Sequence, residues 1–590
     1  MNRHYILTLI ILFVVSFSFA GCHKEDSIFS GDEMSVVEFS LTQNGVKYSA
    51  AIEGNNITVT VPTTVNMSGA EASYALSEHA ELLPDPSTVT AWEEEQVFRV
   101  QSQNKKWNTF TYHVRHSDLA IDGNVVLSTQ KDVDAFADKK INAISGNLII
   151  GSSASGQEDP VTNLSMLKSL TSVRYNIVIN SSFAGTDLDG LSNITKANGI
   201  YIGDKSKEIK TARAFTANFA NLTNVGTVFI NCDSLKTLSM PKLTAADELY
   251  INAQNLASAD FTAFEECGGD MYLSGIIGNS VTEKTSNLAL NSLDFPALKK
   301  VDGSFTIYNF WGLKKLNLKS LTEVTGALNF KYIRYIPTIS MPALTKVGGK
   351  CNIEANDGMK TFSAPALKGA ASFYLASVNI YSMHLKYIEL DSFENSDGDF
   401  TIKFAGAQSI SLPKLTKVGG KLTLDYMTLV EAIKNPSLEK CKNFELMGNQ
   451  VLKEYSLGKL DSLQALNASG LNSLNTLSAP ELVYAKTVSI KGVYSLENLN
   501  LSKLNKVDGN FTFYGGNAYY DASKSVIKNL NGLSSLTNAG RIEVRFASKL
   551  VDFSGLKNVI PNITASNWAV GGCGYNPSYQ DMVNGKYTNN

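Results

Sequence analysis

Residues that do chemistry or covalent bracing are scarce in this chain. Six cysteines and six histidines are spread over 590 residues. Apart from Cys22, near the start, the cysteines are Cys232, Cys267, Cys351, Cys441 and Cys573, odd in number and never spaced as CxxC. That pattern supports neither a disulfide framework nor a zinc site, and those in repeat positions read as buried apolar thiols. His113 and His116 stand three apart in an alternating segment, which puts them on opposite faces of a strand and argues against a shared metal. Only His384 falls in the long central region, so no obvious histidine base is available there. Formal net charge is −3, from 52 basic and 55 acidic residues. No block of Lys and Arg and no aromatic-basic stripe occurs, so nucleic acid is not an expected partner. After the first twenty residues no stretch approaches the ~18 continuous apolar residues of a membrane helix.

The one long apolar run is YILTLIILFVVSFSFA, preceded by Arg3 and His4 and followed by Gly21-Cys22. A short basic region, an apolar core and small residues before a cut predict a signal peptide over 1–21. The ending FAGC resembles the lipobox of bacterial lipoproteins, which implies a lipid on Cys22. Lys24-Glu25-Asp26 is similar to the acidic signal that sends some Gram-negative lipoproteins to the cell surface. The expectation is an outer-membrane, surface-exposed chain, held by its lipid and a tether over 22–33.

What the chain has in abundance is one sentence, repeated. FPALKKVDGSFTIYNF (295–310) returns as MPALTKVGGKCNIEAN (341–356) and LPKLTKVGGKLTLDYM (412–427). With Φ for apolar, the unit is Φ-x-x-Φ-x-Φ-P-x-L-x-x-V-x-G-x-Φ-x-Φ. A unit this short cannot bury its own apolar positions and is stable only when stacked on copies of itself. Alternation places Phe305 and Ile307 inward and Ser304, Thr306 and Tyr308 outward. Proline suits the end of a short strand. The recurring glycine (Gly303, Gly326, Gly349, Gly420) suits a positive φ or a close approach of coils. The fold expected is mainly β: a long parallel β-solenoid of about eighteen 22–23-residue, leucine-rich-type coils over 121–565. VVLSTQKDVDAFADKK should open it with a helix N-capped by Thr129 and Asp132. The non-repeating 566–590, with Trp568, Tyr575 and Tyr579, should close it.

The core L-x-x-V-x-G-x-Φ-x-Φ, clearest in SLTEVTGALNF (320–330) and LTKVGGKLTLDYM (415–427), resembles the receptor L-domain. That is the leucine-rich-repeat-like β-solenoid of growth-factor receptor ectodomains and of some bacterial surface lipoproteins. The chain departs from it in having about three times the coils and in lacking the flanking disulfides, so receptor ligands do not carry over. Residues 34–117 contain short alternating segments separated by Gly, Asn and Pro signals, which predicts a small antiparallel β-sandwich. It resembles the immunoglobulin-like domains that follow the anchor in surface glycan-utilisation lipoproteins.

No catalytic residues, cofactor or metal site are expected. NSDGD (395–399) alternates oxygens around a glycine, yet Gly398 is the repeat's own corner and Phe400 its next inward slot, so we read a polar turn. WEEEQ (92–96) reads as a solvated charge run. The outward residue at mid-strand is the informative one: Ile149, Val178, Tyr201, Phe229, Tyr250 and Tyr272 are apolar or aromatic. From Thr306 to Glu543 the row turns almost wholly polar. Tyr201, Phe229, Tyr250 and Tyr272 are therefore candidate ligand-binding residues, joined by Tyr519 and Tyr520 in an inserted segment, since binding residues gather on loops over rigid scaffolds. Other insertions are expected at 152–163, 204–219 and 275–291. The function expected is non-catalytic binding or adhesion by a monomer, its partner an extracellular protein or a polysaccharide. Alternatives are a β-solenoid polysaccharide lyase or glycoside hydrolase, and an envelope spacer.

Overall fold

A computed structural model describes residues 31–153, 158–203, 215–276, 280–516 and 524–589. They form two compact units, one ending at His116 and the other comprising 62–65 and everything from Ser117 onward.

The first unit is a seven-stranded sheet: β1 (Val36–Gln43), β2 (Val46–Glu53), β3 (Asn56–Val61), β4 (Glu71–Leu76), β5 (Glu81–Leu83), β6 (Gln96–Gln101) and β7 (Trp107–His116), in the order β4-β1-β2-β3-β7-β6-β5. It is mixed rather than wholly antiparallel, because β3 and β7 run parallel. Alternation marks which residues face inward but carries no strand direction, so this pairing is not written in the pattern. Phe39 on β1 meets Phe98 on β6 and Tyr112 on β7 at 6.0 and 5.9 Å, which closes the sheet over one aromatic core. Trp92 completes that core, fully buried, its Nε1 donating to the Ala70 carbonyl at 2.9 Å. WEEEQ is thus not simply a solvated run: Trp92 is interior, and Glu93 pairs with His116 at 2.8 Å.

The second unit is a parallel β-solenoid of about 19 turns of ~23 residues, one more than the sequence count. Its main sheet starts at Ala120–Ile121 and Val125–Leu127 and ends at Trp568–Gly571, every rung parallel. A second face is made of shorter parallel groups, such as Thr338–Ser340, Thr361–Ser363 and Tyr387–Glu389. Between the faces lies a continuous core that includes Phe305, Ile307, Val301 and Leu318, as the inward slots require.

Each recurring element of the unit has a structural task. Proline occupies the second position of a tight turn after the short strand, closed where Leu298 N donates to Phe295 O at 3.3 Å and Leu344 N to Met341 O at 3.1 Å. Its fixed φ suits that position. The threonine before the valine stitches coil to coil: Thr345 N and Oγ1 both donate to Thr322 O, at 2.9 and 3.0 Å. The corner glycine answers a close approach, not a positive φ. A Cβ on Gly326 would lie 2.6 Å from the Gly303 carbonyl carbon, in backbone that cannot step aside. Positive φ falls one position after the main strand instead, at Asn309, Tyr332, Ala355, Phe404, Tyr426, Gly448, Gly470 and Gly492.

Helix α1 (Gln130–Ala137) opens the stack, its Thr129 and Asp132 forming a reciprocal capping box that buries Val133 and Phe136. At the far end Trp568 is buried in the last strand and donates to Pro577 O at 2.8 Å. A short helix, α2 (Tyr579–Val583), follows it. The tail of the 204–219 insertion differs from expectation: Phe215–Asn218 is a strand of the second face, with Phe215 and Phe219 in the core.

Candidate functional site: the outer face of the main sheet

The outward mid-strand row is continuous in the structure. Its cross-coil partners run Ile149, Val178, Tyr201, Phe229, Tyr250, Tyr272, Thr306 and Asn329 in unbroken register. They continue through Asn352, Tyr374, Thr401, Thr423, Glu445, Asn467, Ser489, Thr512 and Glu543. Val126, one coil earlier, extends the apolar end and is exposed.

Tyr201, Phe229, Tyr250 and Tyr272 come together as one ladder. Ring centroids are 6.3, 4.7 and 4.9 Å apart, with interplanar angles of 29°, 11° and 10°. The two closest spacings match the ~4.8 Å between strands, so the rings stand on edge and stack along the solenoid axis. Their faces are taken up by one another, and what they turn outward is edges and hydroxyls. Phe229 retains only 5% of its exposure and the three tyrosines are half-buried. Burial, with Tyr272 beside it, pushes the Tyr250 phenol up from its ordinary value. Beside the start of the ladder, where each coil bends before its main strand, a groove of about 850 Å³ runs past Arg174, Lys196, Asn198, Asn224, Asp247 and Glu266. Cys22, Tyr519 and Tyr520 lie outside the described residues.

The polar half of the face holds a cluster that reading one row at a time does not reveal. Three neighbouring outward rows meet between Lys350 and Glu445. Thr401 and Thr423, 8% and 1% exposed, floor a depression of about 260 Å³. Tyr374, Lys350, Asp399, Lys403 and Lys421 wall it. Lys350 Nζ sits 4.9 Å from the Tyr374 ring centre. Lys421 Nζ pairs with Glu445 Oε2 at 2.6 Å, and its backbone N–H donates to Asp399 Oδ1 at 2.8 Å. Behind Lys403 lies Asp425, fully buried, 3.6 Å from the Lys403 ammonium and accepting from Met447 N at 3.0 Å. Burial, reinforced by Glu445 and opposed by Lys403, lifts the Asp425 carboxyl to about 6. Asp425 Oδ2 and the Thr423 hydroxyl have no hydrogen-bond partner among the described residues. The sequence signal for this cluster is diagonal: Asp425 follows Thr423 by two, and Thr423 faces Glu445 on the next coil.

Other titratable groups are dispersed. His113 faces Glu95 at 3.4 Å while His116 faces Glu93, so the two histidines serve different carboxylates. His384 Nδ1 lies 2.9 Å from the Asp357 carbonyl. All five cysteines among the described residues are buried and free. Cys267 stands opposite Val301, and Cys441 opposite Val418, in the valine slot. Burial pushes the Cys351 and Cys441 thiols up to about 12. Among the described residues no three His, Cys, Asp or Glu side chains are grouped so as to hold a metal ion, and no helix is long and apolar enough to cross a membrane. No protein-family model and no curated protein matches the chain.

Proposed function

We propose that this chain is a cell-surface lipoprotein of the receptor-L-domain-like kind, lipid-anchored at Cys22. On this reading its solenoid binds an extended macromolecular partner, protein or polysaccharide, and does no chemistry on it. The observation that carries the reading is the register of the outer row. A single face runs from Val126 to Glu543 without a break in register and changes from apolar and aromatic to polar at Thr306. A rigid face of that length suits a partner that touches many coils weakly rather than one pocket strongly. The aromatic ladder is the first candidate contact, offering tyrosine edges and hydroxyls.

The test uses the soluble chain 23–590 on immobilised glycans and extracellular proteins. Replacing Tyr201, Phe229, Tyr250 and Tyr272 together by Ser should abolish retention by the partner while the variant stays folded and monomeric. Retention at wild-type strength sinks the ladder as contact, and no retention of the wild type by any ligand leaves only a spacer. The neighbouring acids Asp425 and Glu445 favour one second reading, a polysaccharide hydrolase or lyase. It predicts new reducing ends or unsaturated products when the wild type is incubated with a glycan.

A further inference from the structure

We propose that the depression between Tyr374 and Glu445 is a saccharide-binding site, taking one or two sugar units of a glycan laid across these coils. It gives the binding reading above a ligand class, and it stands on residues separate from the aromatic ladder.

Three observations lead there. First, the site is built. From the Tyr374 strand to the Glu445 strand is three rungs, roughly 14 Å at ~4.8 Å each. Within that span two threonines replace larger side chains, leaving a trough whose floor is more than nine-tenths buried. Second, it holds polar groups that the protein does not satisfy. Thr423 lines the trough and is 1% exposed, and its hydroxyl has no hydrogen-bond partner among the described residues, although buried polar groups are nearly always paired. Third, the lining interleaves donors and acceptors. Lys350, Lys403 and Lys421 stand in the lining with Asp399 and the two threonines, Asp425 and Glu445 hold Lys403 and Lys421 from outside it, and Tyr374 forms an aromatic wall. A simple cation would meet the three ammonium groups, and a simple anion would leave the threonine floor and the aromatic wall unused. Each hydroxyl of a sugar both donates and accepts, which matches such a lining, and the carbon face of a pyranose suits an aromatic wall.

Thr423→Val provides the test, because it keeps the shape and removes only the hydroxyl. Wild type and T423V, both as the 23–590 chain, are compared by biolayer interferometry on immobilised neutral and uronic-acid polysaccharides. Poly-L-glutamate serves as a polyanion without sugar. The expected result is wild-type retention on at least one polysaccharide, competed by its own disaccharide, with T423V at least tenfold weaker and melting unchanged. Retention on neutral polymers assigns the hydroxyls as the recognised groups; retention on uronates alone adds the lysines. Equal binding by T423V, or equal binding of poly-L-glutamate, overturns the inference. If the wild type holds a protein and no polysaccharide, the inference fails while the binding reading stands. If it holds neither, both fail.

Discussion

Asn449 offers a sharp test of how the coils are locked. It is fully buried, and its Nδ2 donates to Leu424 O at 2.7 Å while its Oδ1 accepts from Met427 N at 2.8 Å. Both partners belong to the preceding coil and flank the corner where Asp425 ends the strand and Tyr426 takes a φ of 54°. Asn356 plays the same part further up the stack, donating to Phe330 O at 3.0 Å and accepting from Ile333 N at 2.8 Å around Tyr332. Replacing Asn449 by Leu keeps the side chain's branching and heavy-atom count but takes its hydrogen bonds from one buried N–H and one buried C=O. At about 1–3 kcal/mol for each of the two orphaned groups, less about 1–2 kcal/mol for the added apolar burial, a net loss of roughly 0–5 kcal/mol, centred near 2–3 kcal/mol, follows. Guanidinium unfolding followed by circular dichroism reads the loss, and hydrogen exchange reads its place: the Met427 amide should lose protection while distant coils keep theirs. Asn467→Leu, in the half-buried outward row, is the control and should shift stability by less than about 0.5 kcal/mol. An Asn449→Leu protein with wild-type midpoint and a protected Met427 amide would refute the reasoning.

Two further outcomes follow from buried titratable groups. The Asp425 carboxyl is raised to about 6 in the fold by burial and by Glu445, against Lys403, with Lys421 and Asp399 close by. The folded state therefore holds its proton more tightly than the unfolded one, and stability falls as pH rises from about 4 to about 6. Asp425→Asn should melt with the wild type near pH 4 and be more stable by about 1–3 kcal/mol at pH 7.5; a variant less stable at the higher pH refutes this. Cys351, fully buried between Leu328 and Phe373 with its thiol pushed up to about 12, should resist iodoacetamide in the native protein and react once it unfolds. Mass spectrometry showing native alkylation within minutes would contradict that burial.

The parts of this fold legible in the sequence are those that two periods determine at once. Phe305 and Ile307 are inward by the two-residue alternation and again by their recurrence every coil, so their place in the core follows from either. The outer row, from Ile149 to Glu543, was aligned from that same recurrence and matches the observed pairing. Where only one signal exists, the reading is weaker. Nothing in NITVTVP or FTYHVRH says that β3 and β7 run parallel, since alternation is blind to direction. Phe215 to Phe219 follows a charged segment that breaks the period, and its aromatic spacing was lost in it. Asn356 and Asn449 stand where other coils place different residues, so no period marks them. Tyr332, Phe404 and Tyr426 adopt a backbone conformation that favours glycine, and sequence alone would place Gly there, as at Gly448. The Asp425 cluster escaped because its members lie on different rows; comparing diagonals between coils would have joined Asp425 to Glu445.

The two candidate zones stand differently toward stability, and that difference separates them. Stacked aromatic neighbours contribute about 0.5–1.5 kcal/mol per pair beyond the area they bury. The ladder from Tyr201 to Tyr272 therefore has a sufficient reason to exist in coil packing alone, whatever else its edges touch. Asp425 also has a packing task, accepting from Met447 N and facing Lys403, but a neutral Asn could accept the same bond. A carboxylate that must be stripped of water, with the Lys403 ammonium no nearer than 3.6 Å to its second oxygen, makes the solenoid less stable at neutral pH than Asn would. Along the same row stand Met447 and Ser469, neutral residues that fit the same sheet. The scaffold tolerates an uncharged residue there and the chain carries an acid, beside a threonine hydroxyl that has no hydrogen-bond partner among the described residues. An acid that weakens the fold behind the Lys403 that walls the depression, and an unpaired hydroxyl on its floor, fit the binding proposed there. On that reasoning the polar trough, not the aromatic ladder, is where a substitution neutral or favourable to folding should be costly to function.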